Sequence, residues 1–258
     1  MDALERQSQI VELVLGKGRV SVPEICESFH VSQMTARRDL AHLDRQGLLR
    51  RYRGGAVANL GRSYEPSFKT RSSRNQSAKT AIGRKAAELV ADGDSIALDV
   101  GTTTIEIVPG LTGRRNLTIL TSCLQIANLV VRQLALEVAA RLIVTGGVVR
   151  PRELSMVGAL PVQAYSGLHV DKAFVGAAGI SVANGLTEFN VEDAQIKQAL
   201  IRNARECIVV ADGSKFGVTT FASYAPLKTI DKIVTDRSAP ADVLEQIRNQ
   251  GVEVVLAD

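Results

Sequence analysis

The sequence has no apolar run approaching the about 18 residues that a membrane-crossing helix needs. Its first residues also lack the basic-then-apolar pattern of a secretory signal. Both absences lead us to expect a cytoplasmic protein with no membrane partner. Cysteine is scarce: Cys26, Cys123 and Cys207 are far apart, with neither metal-ligand spacing nor the even number of a disulfide framework, which fits a reducing compartment. His30, His42 and His169 have no metal or triad spacing, and the glycine signatures of P-loops and dinucleotide sites are missing. We therefore expect no metal and no cofactor. No internal repeat or low-complexity tract is evident, and 258 residues leave room for two domains.

The net charge of +4 is unevenly spread. Residues 1–75 carry 13 Lys and Arg against 8 Asp and Glu, while residues 76–258 carry 18 against 19. A basic small module joined to a near-neutral large one suggests a polyanion reader coupled to something else. Within the basic third, residues 31–47 read as a helix with both ends marked, Ser32 as N-cap and Gly47 just past the end. Ala36, Leu40 and Leu43 point one way into a core; Met34, Arg38, His42 and Arg45 form the opposite face, flanked by Thr35 and Arg37. An earlier helix is expected over residues 6–15 through Ile10, Val11, Val14 and Leu15. Residues 20–21 are too short for more than a strand fragment. Val22, Ile25, Cys26 and Phe29 then define a second helix with Pro23 near its start.

Two short helices, a tight turn at His30 and Val31, and an arginine-bearing third helix make a helix-turn-helix pattern. After Gly47, Leu49, Arg51 and Arg53 alternate with Arg50 and Tyr52 before Gly54 and Gly55. This predicts a two-stranded wing that turns arginines toward phosphate, the alternative being an ordinary hairpin that is basic. Arginine binds guanine bidentately and glutamine binds adenine, so Gln33, Arg37 and Arg38 are candidate base readers. Ser21, Ser32, Thr35, Arg51 and Arg53 are candidate phosphate contacts, which fix register without reading sequence.

Residues 59–76 are polar and mix Ser, Arg and Gly with one Pro, so they read as a linker between a DNA-binding domain at 1–58 and a larger domain at 77–258. There, Ile82, Ala86, Leu89 and Val90 form a helix stripe stopped by Asp92, Gly93 and Asp94. Strands are expected over 95–100, 117–121, 141–145, 172–175, 207–211, 232–235 and 253–256, with helices near 104–111, 123–133, 156–165, 191–204 and 241–250. Residues 134–140 are ambiguous between helix end and strand. That alternation implies an α/β domain with a mostly parallel sheet.

Ligands of such sheets sit at the carboxyl ends of the strands. Asp99, Gly101, Thr102, Thr103 and Thr104 follow the first strand and precede a helix, so they suit either an anion or a simple N-cap cluster. Thr121 and Ser122 follow the second strand, Gly146 and Gly147 the third, Gly176 the fourth, and Asp212 with Lys215 the fifth. Five such loops at successive strand ends favour a shared pocket.

Residues 21–57 resemble the winged helix-turn-helix of the DeoR family of bacterial transcription regulators. The likeness rests on Val31, Ser32, Thr35, Arg37, Arg38, Asp39, Leu40, Leu43, Gly47, Leu49, Arg51, Gly54, Gly55 and Ala56. Ala36 replaces a bulkier aliphatic residue and Arg53 a histidine. Residues 99–104, 120–127, 145–147, 170–180, 185–187, 191–200 and 211–217 resemble that family's C-terminal sensor domain, similar in fold to ribose-5-phosphate isomerase and the CoA-transferases. The resemblance implies a sensor of phosphorylated sugars or related metabolites, with Thr102 to Thr104 and Thr121 at the phosphate and Glu192, Asp212 and Lys215 facing the sugar. Ser122 stands where the family often has asparagine, and Ala178 where an acidic residue is common.

Two functions follow. The first is a DNA-binding regulator, by family habit a repressor of a carbohydrate operon, working as a dimer or tetramer on operator DNA under control of a sugar phosphate. The second is an isomerase-type enzyme with an appended helix-turn-helix, using Glu192, Asp212 and Lys215. Ala177 and Ala178, where the isomerase relatives carry acids, disfavour catalysis.

Overall fold

The computed structural model describes residues 3–58, 61–134 and 140–258. It divides into two compact units, Met1–Pro66 and Ser67–Asp258. The first is three helices and a small sheet: α1 (Ala3–Lys17), β1 (Arg19–Ser21), α2 (Val22–Phe29), α3 (Gln33–Arg45), β2 (Leu49–Tyr52) and β3 (Gly55–Ala58). Ile10, Val14, Val20, Ile25, Ala36, Leu40, Leu43 and Leu49 close into one buried core. The expected strand fragment is longer than read, because Arg19 to Ser21 pair antiparallel with β3 and complete a sheet of order β1-β3-β2.

Three features of sequence set these boundaries. Ser21 and Glu24 form a reciprocal capping box that starts α2, with Pro23 in its first turn. His30 takes a left-handed conformation (φ 52°) and separates α2 from α3. Ser32 accepts the Thr35 amide at 3.2 Å and starts α3, and Gly47 at φ 72° follows its end.

The second unit opens with α4 (Phe68–Ser73) and α5 (Gln76–Ala87). Both begin inside the stretch 59–76 read as a connector: Ser67 caps α4, and Phe68 and Thr70 are buried, so a cap and one aromatic make a helix that polar composition conceals. The chain continues through β4 (Ser95–Leu98), a 3-10 helix (Thr104–Leu111), β5 (Thr118–Thr121), α6 (Leu124–Leu134) and β6 (Arg141–Val144). The second helical stretch is 3-10 with Pro109 inside it, a residue that cannot donate an α-helical hydrogen bond. Of the ambiguous residues 134–140, those at 135–139 lie outside the described residues.

Next come β7 (Val148–Arg150), β8 (Ser155–Val157), α7 (Ala159–Ser166), β9 (Val170–Gly176), β10 (Gly179–Ser181), β11 (Gly185–Glu188), α8 (Val191–Arg202), β12 (Ala204–Val210), β13 (Ala222–Ala225), β14 (Lys232–Asp236), α9 (Ala241–Arg248) and β15 (Glu253–Ala257). The helix expected over 156–165 is split. Residues 155–157 pair antiparallel with β7, and Gly158 at φ 99° breaks the chain before α7.

Among the described residues, seven strands form one sheet of order β15-β14-β12-β9-β4-β5-β6, every pair parallel. Alternate side chains fill two cores, as a sheet covered on both faces requires. Ala97, Ala173, Val175, Val209 and Ile233 face one, and Ile96, Leu98, Phe174, Ile208, Val210 and Val234 the other. The chain runs from β4 outward through β5 to β6, then returns on the other side of β4 with β9, so the order reverses between β4 and β9. The small antiparallel sheet β10-β11-β13 was not read from the sequence. No described helix is long and apolar enough to cross a membrane.

Candidate functional site

In the first unit, Ala36, Asp39, Leu40 and Leu43 turn inward from α3, leaving Gln33, Met34, Arg37, Arg38 and Arg45 exposed. Arg51 and Arg53 are exposed on the hairpin, and a concave surface lies among Arg37, Leu40, Arg51, Tyr52 and Arg53. The hairpin is stiff: the Arg19 guanidinium lies 4.2 Å over the Tyr52 ring, and Arg51 N–H donates to Asp44 on α3 at 3.2 Å. Gly55 is required there, since a Cβ would sit 2.1 Å from the Val20 carbonyl oxygen and 2.6 Å from Tyr52 Oη.

The expected phosphate contacts fall into two groups. Arg51 and Arg53 offer charge to solvent, whereas the Ser21 hydroxyl is committed to its capping box and those of Ser32 and Thr35 bond each other at 3.0 Å. Gln33 Oε1 lies 3.5 Å from Arg37 Nη2, so these two base-reader candidates adjoin.

In the second unit, a small pocket opens at the reversal point of the sheet. Gly101, Thr102, Thr103 and Thr104 line it from the end of β4, Gly176, Ala177 and Ala178 from the end of β9, and Lys215 from beyond β12. Glu188 at the end of β11, Phe189 just after it, Lys197 on α8 and Arg71 on α4 also line it. The Thr104 Oγ1 atom is buried with no hydrogen-bond partner, beside Gly101 and Gly176. A buried hydroxyl left unpaired costs roughly 1–3 kcal/mol, so an acceptor placed there recovers binding energy.

At the floor of the pocket is a buried charged cluster, of which the sequence reading named Asp99 and Gly176 but neither Lys197 nor Glu188; Asp99 itself is turned to Lys197 and does not line the pocket. Lys197 Nζ bonds Asp99 Oδ2, the Gly176 carbonyl at 3.0 Å and Glu188 Oε2 at 3.3 Å. Gly176 N–H donates to Asp99 at 2.9 Å, and Tyr224 Oη donates to the Gly176 carbonyl at 2.8 Å. Burial disfavours charge on Lys197, but the Asp99 and Glu188 carboxylates outweigh it and hold the ammonium above the usual lysine range. Lys197 is therefore a support whose charge is compensated by two carboxylates, and two further cations, Arg71 and Lys215, line the pocket.

Arg71 pairs with Glu153, and its carbonyl accepts from Lys79 Nζ. Burial pushes Lys79 down to about 8, opposed by the Asp212 carboxylate, and Lys215 is lowered for the same reason. Asp212 is buried as the cap of the following turn, accepting from Asn75 Nδ2 at 2.9 Å and from Ser214.

The remaining expected residues do not line this pocket. Thr121 Oγ1 donates to the Leu98 carbonyl at 2.8 Å, and Ser122 is fully buried. Gly147 follows β6, two strands further from the reversal point, and packs against Val157. Glu192 is exposed on the first turn of α8; the carboxylate that faces the pocket is Glu188. One available signal was overlooked: Lys197 shares the inward face of α8 with Ala194 and Leu200, an unusual place for an unpaired lysine. Arg71 carried no comparable signal.

Residues 6–60 match the DeoR-like helix-turn-helix domain, and residues 74–237 match the DeoR C-terminal sensor domain. The chain is 32% identical to the glycerol-3-phosphate regulon repressor of Escherichia coli (strain K12), across 99% of this chain and 100% of that protein. It is 32% identical to the transcriptional repressor GlcR of Bacillus subtilis (strain 168), across 98% and 96%. Ribose 5-phosphate isomerase A of Methanocaldococcus jannaschii superposes with a TM-score of 0.40 at 20% identity, over 55% of each chain.

Proposed function

The chain belongs to the DeoR family of DNA-binding transcriptional regulators, and from that premise we propose that it represses a carbohydrate operon under control of a phosphorylated sugar. It is a regulator and not an isomerase: its relatives carry regulatory names, and Ala177 and Ala178 leave the end of β9 without an acid. We propose that the protein acts in the cytoplasm as a homo-oligomer, a dimer or tetramer, because one winged module reads too few bases for a specific site.

The observation that carries the effector reading is the unpaired Thr104 hydroxyl in a glycine-lined pocket with Arg71 and Lys215. In this reading a phosphate monoester accepts from Thr102, Thr103 and Thr104 and draws Arg71 away from Glu153. Arg71 lies on α4, the first helix after the boundary at Pro66, so the exchange acts on the segment through which the chain leaves the DNA-binding unit. A coupling of about 1–3 kcal/mol changes operator affinity roughly 5–150-fold.

The test measures affinity for promoter fragments with and without a panel of sugar phosphates. Thr103→Ala and Lys215→Ala should bind DNA nearly as the parent does and lose the metabolite response. A normal response in both variants would contradict the site, and turnover of pentose or hexose phosphates at ordinary enzyme rates would contradict the regulatory reading.

A further inference from the structure

Met34 is 74% exposed, the most exposed large apolar side chain among the described residues. Single exposed apolar residues are ordinary on a surface, so the exposure gains meaning only from its place. The buried Ala36, Asp39, Leu40 and Leu43 fix the rotation of α3. With about 3.6 residues per turn, Met34, Arg38 and Arg45 fall on the side facing away from that core. Met34 and Arg38, four apart, are neighbours on the helix surface.

A groove-binding helix presents its N-terminal residues to base edges. At this N-terminus the Ser32 and Thr35 hydroxyls are occupied with each other, and Gln33 adjoins Arg37. The groups left on the outward face of the first turns are the Met34 thioether and the Arg38 guanidinium. The major groove offers one apolar feature, the 5-methyl group of thymine. An unbranched, polarizable methionine can follow its position closely.

We infer that Met34 is a specificity-determining residue that packs on a thymine methyl group beside the base read by Arg38. The inference rests on α3 being the helix that enters the groove. It places in each half-site a thymine requirement that hydrogen bonding does not supply.

The test uses the full-length protein and a duplex that it enriches from a random library. Each thymine of the half-site is replaced in turn by deoxyuridine, which deletes the methyl group and keeps the pairing edge. The parent protein should lose about fourfold in affinity at one position, the worth of one buried methylene converted to a binding ratio. Met34→Ala should bind the unmodified duplex about fourfold more weakly and be indifferent to deoxyuridine at that position, while Met34→Leu keeps most of the discrimination. Both variants should unfold at the parent temperature, which separates lost readout from lost fold. Equal deoxyuridine losses in the parent and Met34→Ala, or a half-site with no methyl-sensitive thymine, would overturn the inference. Enrichment of no duplex at all would overturn it together with the groove assignment beneath it.

Discussion

Asp39 follows Arg37 and Arg38 in sequence, yet its carboxylate turns inward, accepting from Arg6 Nε at 2.7 Å and Gln7 Nε2 at 2.8 Å on α1. The pair is largely buried, so losing the Asp39 carboxylate removes charge-assisted hydrogen bonds from α1, each worth about 1.5–3 kcal/mol. Asp39→Ala should therefore lower the denaturant midpoint of the first unit and with it DNA binding, whereas Arg38→Ala should leave stability untouched. Arg38→Ala is expected instead to cost about 1–3 kcal/mol of operator affinity and to relax one base position. Arg53→Ala should weaken all sequences alike and flatten the salt slope by about 0.9. Binding curves on matched and mutated duplexes separate the two. Lys79 adds a pH dependence: its folded value of about 8 lies below the ordinary 10.5, so between those limits the folded state binds fewer protons than the unfolded. Stability should rise as pH climbs through that window, and Lys79→Met should flatten the rise in chemical denaturation at pH 8 and pH 10.

At the scale of elements, the two capped helices are the most local features of the chain. Ser21→Ala, which dismantles the capping box of α2, should cost about 1 kcal/mol by thermal unfolding. These elements were legible because their signals are local: Ser32 and Gly47 bracket α3, and short apolar runs at Ile96 to Leu98, Ala173 to Val175 and Cys207 to Val210 mark β4, β9 and β12. What escaped the sequence are short strands outside the main sheet, too brief to carry a periodic pattern. Residues 155–157 are strand because β7, just upstream, pairs with them; β10 and β11 form a tight hairpin, and β13 reaches β11 from a distance. The lining of the candidate pocket was legible where glycines and threonines end a strand, as at Gly101 to Thr104 and Gly176. It was misplaced at Glu192, because the pattern of residues could not say that the chain turns Glu188 inward at the end of β11. Arg71 was hidden in a stretch whose polarity resembles a connector, and Thr121 looked available although the neighbouring strand takes its hydroxyl.

At the scale of the whole molecule, the proposed regulation is a linkage between an arginine-rich surface in one unit and the candidate anion pocket in the other. A ligand changes DNA affinity only as far as its own affinity differs between the DNA-competent and DNA-incompetent states. By the same reciprocity, operator DNA must change the affinity for the sugar phosphate by an equal factor. The most direct measurement is therefore operator affinity across a salt series, with and without each sugar phosphate, for the parent protein and for Lys215→Ala. We predict a salt-sensitive preference for the operator in both proteins, shifted roughly 5–150-fold by one metabolite in the parent alone. A preference for no fragment, or a metabolite shift that Lys215→Ala retains in full, would contradict the account.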